Sequence, residues 1–218
     1  MKRNINKLTL LVIITVIALF ILAVMASADP AFPRTLQGQY AVTGEGTVLF
    51  APLGFTTVLV TRNLTPKDAA QGDWIFQTFN TGGVYTFNPD GTGRAEIQSR
   101  FFTFPFTAPN PNPPPPRVPF PPSVGANSIV FSFHYSITDD GKITITADPG
   151  TYVVTPPTGP PFHWDGLKME GFISGDGKMI VGNVGAPDIM SIVPPVGPFP
   201  PTSQIVNNAS VVMIWRSW

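Results

Sequence analysis

The chain has 218 residues, Lys+Arg 13 against Asp+Glu 13, 43% hydrophobic and 12% charged content, 26 Pro, 20 Gly and no Cys. That length suits one domain of ordinary size, and the composition is too apolar for a disordered chain. Without cysteine there is no disulfide framework, iron–sulfur cluster or cysteine-rich zinc site. The balanced charge offers no phosphate-neutralising field and argues against nucleic acid as a partner.

Lys2, Arg3 and Lys7 precede an apolar run from Leu8 to Val24, and Ala26-Ser27-Ala28 supplies the small residues that a signal peptidase reads. This pattern predicts a secretory signal peptide over residues 1–28, cleaved after Ala28. The alternative is an uncleaved anchor, since the run approaches the roughly 18–20 residues that span a bilayer. No cysteine follows the site, so a lipoprotein anchor is not expected. Removing Lys2, Arg3 and Lys7 from thirteen cations leaves ten against thirteen acids, a net charge of −3 for residues 29–218. The expected product is periplasmic or secreted, meets the membrane only through its leader, and without disulfides suits a bacterial source.

Beyond residue 30 the dominant pattern is alternation. An opening strand is expected near 38–50. After it, Thr65 as N-cap, Pro66 at the first helical position and Lys67–Gln71 before Gly72 predict a helix of a turn or two. Asp90-Gly91, Asp140-Gly141 and Asp176-Gly177 each lie between alternating runs and read as tight hairpins. They join 74–88 with 92–104, 126–138 with 142–147, and 167–174 with 178–185, and a closing strand follows near 204–217. In the clearest run, Ile129, Phe131, Phe133, Tyr135 and Ile137 share one face while Ser132, His134 and Ser136 share the other. Ten strands is the alternative count, if Thr56–Arg62 adds a strand after an Ala51-Pro52-Leu53-Gly54 turn or Thr81-Gly82-Gly83 splits 74–88.

The connections 51–73, 105–122, 149–165 and 186–203 are long, and residues 105–122 hold ten prolines, including Pro113–Pro116. Proline lacks the ladder donor, so these read as surface loops rather than interior strands. The resulting architecture is all-β, antiparallel and up-and-down, with short turns at one end and long Pro-rich loops at the other. A sheet of eight such strands can close with its first strand on its last and leave no edge.

This layout resembles the calycin group, and within it the lipocalins. Lipocalins carry G-x-W at the first strand and an Arg near the end of the last, packed together at the closed end. Here Gly38-Gln39-Tyr40 and Arg216 stand at those places, with Tyr for Trp and without the family's middle motif. The resemblance implies a calycin-like barrel with Tyr40 and Arg216 as its closed-end pair. It also implies a lumen for a small apolar ligand; a cyclase-type calycin enzyme is the alternative.

Inward positions expected from the alternation are Tyr40, Val42, Val48, Phe50, Phe76, Phe131, Phe133, Tyr135, Met169, Met213 and Trp215. Of these, Val42, Phe76, Phe131, Phe133, Tyr135 and Met169 are the expected ligand contacts, joined by His163 and Trp164 from the 149–165 connection. The core is equally consistent with a lumen filled by its own side chains. His134, on the face of Ser132 and Ser136, reads as a solvent-facing position. Two histidines, no cysteine and no H-E-x-x-H argue against a zinc site, and no catalytic residue or cofactor is expected. An outer-membrane barrel shares the loop logic, but Lys142–Ala147 is shorter than the roughly 9–11 residues a spanning strand needs. An extracytoplasmic interaction module is the remaining alternative.

Overall fold

Each Asp-Gly dipeptide reverses the chain at the same end of the molecule. Gly91 N–H donates to Asn88 O at 3.2 Å while Asn88 N–H donates to Thr92 O at 2.9 Å, and Thr138–Lys142 repeats this arrangement. The third turn, from Ser174 to Met179, is one residue longer. Gly91, Gly141 and Gly177 have φ of 87°, 78° and 72°, a region that glycine enters without a Cβ penalty. Each aspartate then bonds its own turn. Asp90 Oδ1 accepts from Thr92 N–H and Oγ1, and Asp176 Oδ1 accepts from Ser174 Oγ and Lys178 N–H. Asp140 Oδ1 accepts from Thr138 Oγ1.

The computed structural model describes residues 32–51, 54–58, 63–66, 74–106, 123–184, 189–192 and 204–217. The strands are β1 (Gly38–Ala51), β2 (Phe55–Val58), β3 (Asn63–Pro66), β4 (Trp74–Phe87), β5 (Thr92–Phe106), β6 (Ser123–Ile137) and β7 (Lys142–Ala147). They continue with β8 (Tyr152–Thr155), β9 (Phe162–Asp165), β10 (Lys168–Ile173), β11 (Met179–Val184), β12 (Ile189–Ile192) and β13 (Gln204–Trp215). The order β1-β4-β5-β6-β7-β10-β11-β13 forms a ring, because β13 pairs back onto β1 from Tyr40↔Trp215 to Ala51↔Gln204. These eight are the expected eight strands, shifted by a few residues at their ends. β4 runs unbroken through Thr81-Gly82-Gly83.

The connections 149–165 and 186–203, expected to hold no ladder strand, are corrected by the structure. β8 pairs with β6, β9 with β8, β12 with β9, and β13 with β12. Three of the eight wall positions are therefore filled by two short strands end to end: β7 with β8, β10 with β9, and β11 with β12. Between Val130 and Phe133, β6 advances three residues while its partner advances six, from Val153 back to Ala147. The excess is a local excursion at Asp148–Thr151, where Thr151 Oγ1 lies 3.1 Å from Ser132 O and Asp148 N–H donates to Ser132 O at 2.9 Å. The prolines sit at such breaks and leave Tyr152–Thr155 and Phe162–Asp165 free to pair.

The small β2–β3 hairpin lies within the 51–73 connection. Gly54 N–H donates to Ala51 O at 3.0 Å just before it, and Gly54 has φ 81°. Thr65 and Pro66 belong to β3, so the helix start expected there is corrected: pairing with Thr56 and Phe55 keeps both residues extended. The expected leader (1–28), residues 67–71 of the expected helix, the polyproline stretch 107–122 and Trp218 lie outside the described residues.

Inside the ring, the end nearest the short turns is solid. Phe87 packs edge-on to Tyr40, Phe133 and Tyr135, with ring centroids 5.1–5.2 Å apart. Phe131, Phe133, Ile143, Ile180 and Met213 have at most 1% of their surface exposed. Burying a side chain of this size contributes about 1.5–3 kcal/mol, and well-placed aromatic pairs add about 0.5–1.5 kcal/mol. The segment from Phe32 to Gln37 crosses under this end. Leu36 is buried and its N–H donates to Tyr135 Oη at 2.8 Å; that hydroxyl lies 2.7 Å from Asn88 O. Phe32 abuts Gly141, Pro33 abuts Gly177, and Arg34 pairs with Asp139 at 3.0 Å. One short segment thus touches two of the turns and is tied to the first through the Tyr135 hydroxyl.

Candidate functional site

The other half of the lumen is hollow. Beyond the aromatic plug the inward rows of β1, β4, β5, β6 and β13 mix smaller side chains such as Val42, Ser99, Asn127 and Ala209 with Phe50, Phe79 and Phe101. A cavity of about 510 Å³ results, within the range of small-molecule sites. Its floor is Tyr85, Phe131 and Tyr152, with Phe131 stacked on Tyr152 at 5.1 Å. Its walls include Val42, Phe50, Ile97, Ile129 and Trp164, and Pro156, Gly159 and Pro160 of the β8–β9 turn line it at the end away from the short turns.

Among the described residues no lining residue is charged. Their polar groups are Gln77, Thr81, Ser99, Asn127, Thr158 and Asn207 with the Tyr85 and Tyr152 hydroxyls. Burial raises the pKa of both tyrosines well above the ordinary value, so each stays neutral. Ser99 and Asn127 are direct cross-strand partners on β5 and β6, with Thr81 next in the row on β4. Such a chamber can hold an uncharged, mostly apolar molecule and orient it by hydrogen bonds.

The expected ligand contacts divide three ways. Val42, Phe131 and Trp164 line the cavity. Phe133, Tyr135 and Met169 face inward but are buried in the solid end. Phe76 and His163 do not reach the lumen. The inward Phe76 is corrected: Ile75 and Gln77 point in, and Phe76 packs outside against Phe104 at 6.4 Å between centroids. Both faces of 74–88 mix aromatic and β-branched residues with a glycine and an amide, so its phase was ambiguous. His163 alternates with the inward Phe162 and Trp164 and places Nδ1 3.2 Å from Gly150 O, while Asp165 Oδ1 accepts from Gly150 N–H at 2.6 Å. His134 is exposed, as its strand face predicted, and its Nδ1 lies 3.0 Å from Asp148 Oδ1. Both histidines therefore brace the excursion between β7 and β8.

Tyr40 and Arg216 both stand at the short-turn end. The Tyr40 hydroxyl donates to Gly177 O at 2.6 Å, and Arg216 N–H donates to Gln39 O at 2.8 Å. Burial, with the Tyr135 and Asp176 charges behind it, pushes Tyr40 up to about 12. Trp215, expected inside, is 38% exposed beneath the ring with Lys178 Nζ 5.9 Å from its centroid. Reading the sequence missed Ser99, Asn127 and Asn207, because small polar residues inside an alternating run look like solvent-facing ones.

The outer wall is mixed, with Phe102, Val124, Phe172, Val181 and Ile214 exposed on it beside charged residues. Arg94, Glu96, Gln98 and Arg100 are exposed along β5, and Glu170 pairs with Lys142 at 2.9 Å and Lys168 at 2.8 Å across β7 and β10. A shallower depression of about 720 Å³ on this wall carries Glu45, Asn80 and Arg100. No protein-family model matches the chain, and no curated protein matches it in sequence.

Proposed function

We propose that this protein is an exported, lipocalin-like carrier that binds one small, uncharged, mostly apolar molecule in the upper lumen without transforming it. The observation that carries the reading is the half-filled ring: a solid aromatic floor under a 510 Å³ chamber whose described lining residues carry no charge. A barrel that only needed a core would fill both halves, since eight strands allow it. The calycin-like assignment draws support from the closed eight-strand ring, with Tyr40 beside the short turns and Arg216 following the last strand. Export rests on the leader sequence and the small residues ending at Ala28.

The interior of the ring speaks against a membrane-spanning barrel. Such a barrel encloses a polar interior, whereas this ring holds an aromatic plug and a mostly apolar chamber. Its exterior mixes ion pairs across β7 and β10 with exposed Phe102, Phe172, Val181 and Ile214. The strand-length argument against a membrane barrel does weaken, because β7 is continued by β8, and the apolar lumen replaces it.

The test is titration with N-phenyl-1-naphthylamine, a neutral probe that fluoresces in apolar surroundings, while exciting Trp164. One-to-one binding with energy transfer is expected. Ser99→Phe, which places a ring in the chamber, should abolish binding while the protein melts at the same or a higher temperature. Absence of uptake by the wild-type protein, or equal uptake by Ser99→Phe, overturns the proposal.

A further inference from the structure

Asn207 lines the chamber from β13, and its Oδ1 is buried with no hydrogen-bond partner among the described residues. An amide oxygen left so is costly: native proteins pair nearly all such atoms, with protein, water or ligand. On other staves, Ser99 and Asn127 stand side by side, and the Tyr85 and Tyr152 hydroxyls lie near the floor. Among the described residues none of these side chains has a hydrogen-bond partner. The chamber thus holds a band of hydrogen-bonding capacity that the protein itself leaves unused. All of it is neutral.

We propose that the ligand is an uncharged amphiphile, a hydrocarbon body with a hydroxyl or amide head, whose head group bonds within the neutral polar band that Asn207, Ser99 and Asn127 supply. This deepens the carrier reading and rests on it. An ionised head group finds no counter-charge in the lining and would lose its hydration on entry, which disfavours carboxylates and ammonium groups. Selectivity then comes from the absence of charge as much as from the polar band.

The experiment displaces N-phenyl-1-naphthylamine from the purified protein with decan-1-ol and with decanoate, which share a chain and differ in head group. At about pH 8, where decanoate is ionised, the alcohol should displace the probe at concentrations at least about tenfold lower. At about pH 4 the acid is mostly protonated and the gap should close. Asn207→Leu removes the unpartnered amide, so it should fold at least as stably, while its affinity for decan-1-ol relative to that for the probe falls about three- to tenfold. Asn127→Leu tests the opposite wall in the same way. If the probe binds but decanoate competes as well as decan-1-ol at both pH values, or neither variant weakens the alcohol, this inference is overturned and the carrier reading stands. If the probe does not bind at all, the carrier reading itself fails.

Discussion

Tyr135 shows how much a single side chain does at the closed end. Its ring packs on Phe87, while its hydroxyl accepts from Leu36 N–H and reaches Asn88 O, tying the crossing segment to the first turn. Tyr135→Phe keeps the ring and strands the buried Leu36 N–H, at a cost of about 1–3 kcal/mol. The melting temperature should fall, and hydrogen exchange at Leu36 should quicken more than at Ile143. Acid acts at other residues. Hydrogen bonds from Lys168 and then Lys142, with their charges, hold Glu170 down at about 2. Hydrogen bonds from Thr92, Thr138 and Ser174 lower Asp90, Asp140 and Asp176. With folded values below unfolded ones, the unfolded chain takes up protons first as pH falls. The stability they supply is complete above about pH 4.5 and lost towards about pH 2. Melting temperature should decline across that window, and Glu170→Gln combined with Asp→Asn at the three turns should flatten the decline.

At the scale of elements, the ring closes because certain strands approach more tightly than a side chain allows. A Cβ on Gly83 would lie 2.2 Å from Glu96 O and 2.8 Å from Ile97 Cα, both backbone atoms that cannot swing aside. Gly83→Ala should therefore cost about 1–3 kcal/mol, seen as a lower urea midpoint, whereas Gly82→Ala, with only Val42 O at 3.8 Å, should be close to neutral. The long strands and their order were legible in the sequence, because alternation sets the faces and Asp-Gly marks the reversals. The short strands β8, β9 and β12 were not. Asp148-Pro149-Gly150 has the composition of a loop, and only the ladder to β6 reveals that the wall resumes at Tyr152. The helix expected from Thr65-Pro66 failed for a related reason: a local capping signal lost to pairing with β2.

For the whole molecule, the division of the lumen is what matters. The aromatic plug was foreseeable in outline, since Phe131, Phe133 and Tyr135 share a strand face. Which of those rings stop at the floor and which border the void depends on strand tilt and on contacts from distant strands, so alternation alone could not separate Phe131 from Phe133. The same holds for Ser99, Asn127 and Asn207, whose inward direction follows from ring closure rather than from their own chemistry. The most direct measurement is a crystal of the protein pressurised with xenon, which enters dry apolar cavities and leaves packed cores empty. Xenon is expected in the upper lumen between Ile97, Phe131 and Trp164, and none around Phe87 and Phe133. A lumen filled by side chains at the level of Trp164, with no xenon there, would contradict the account.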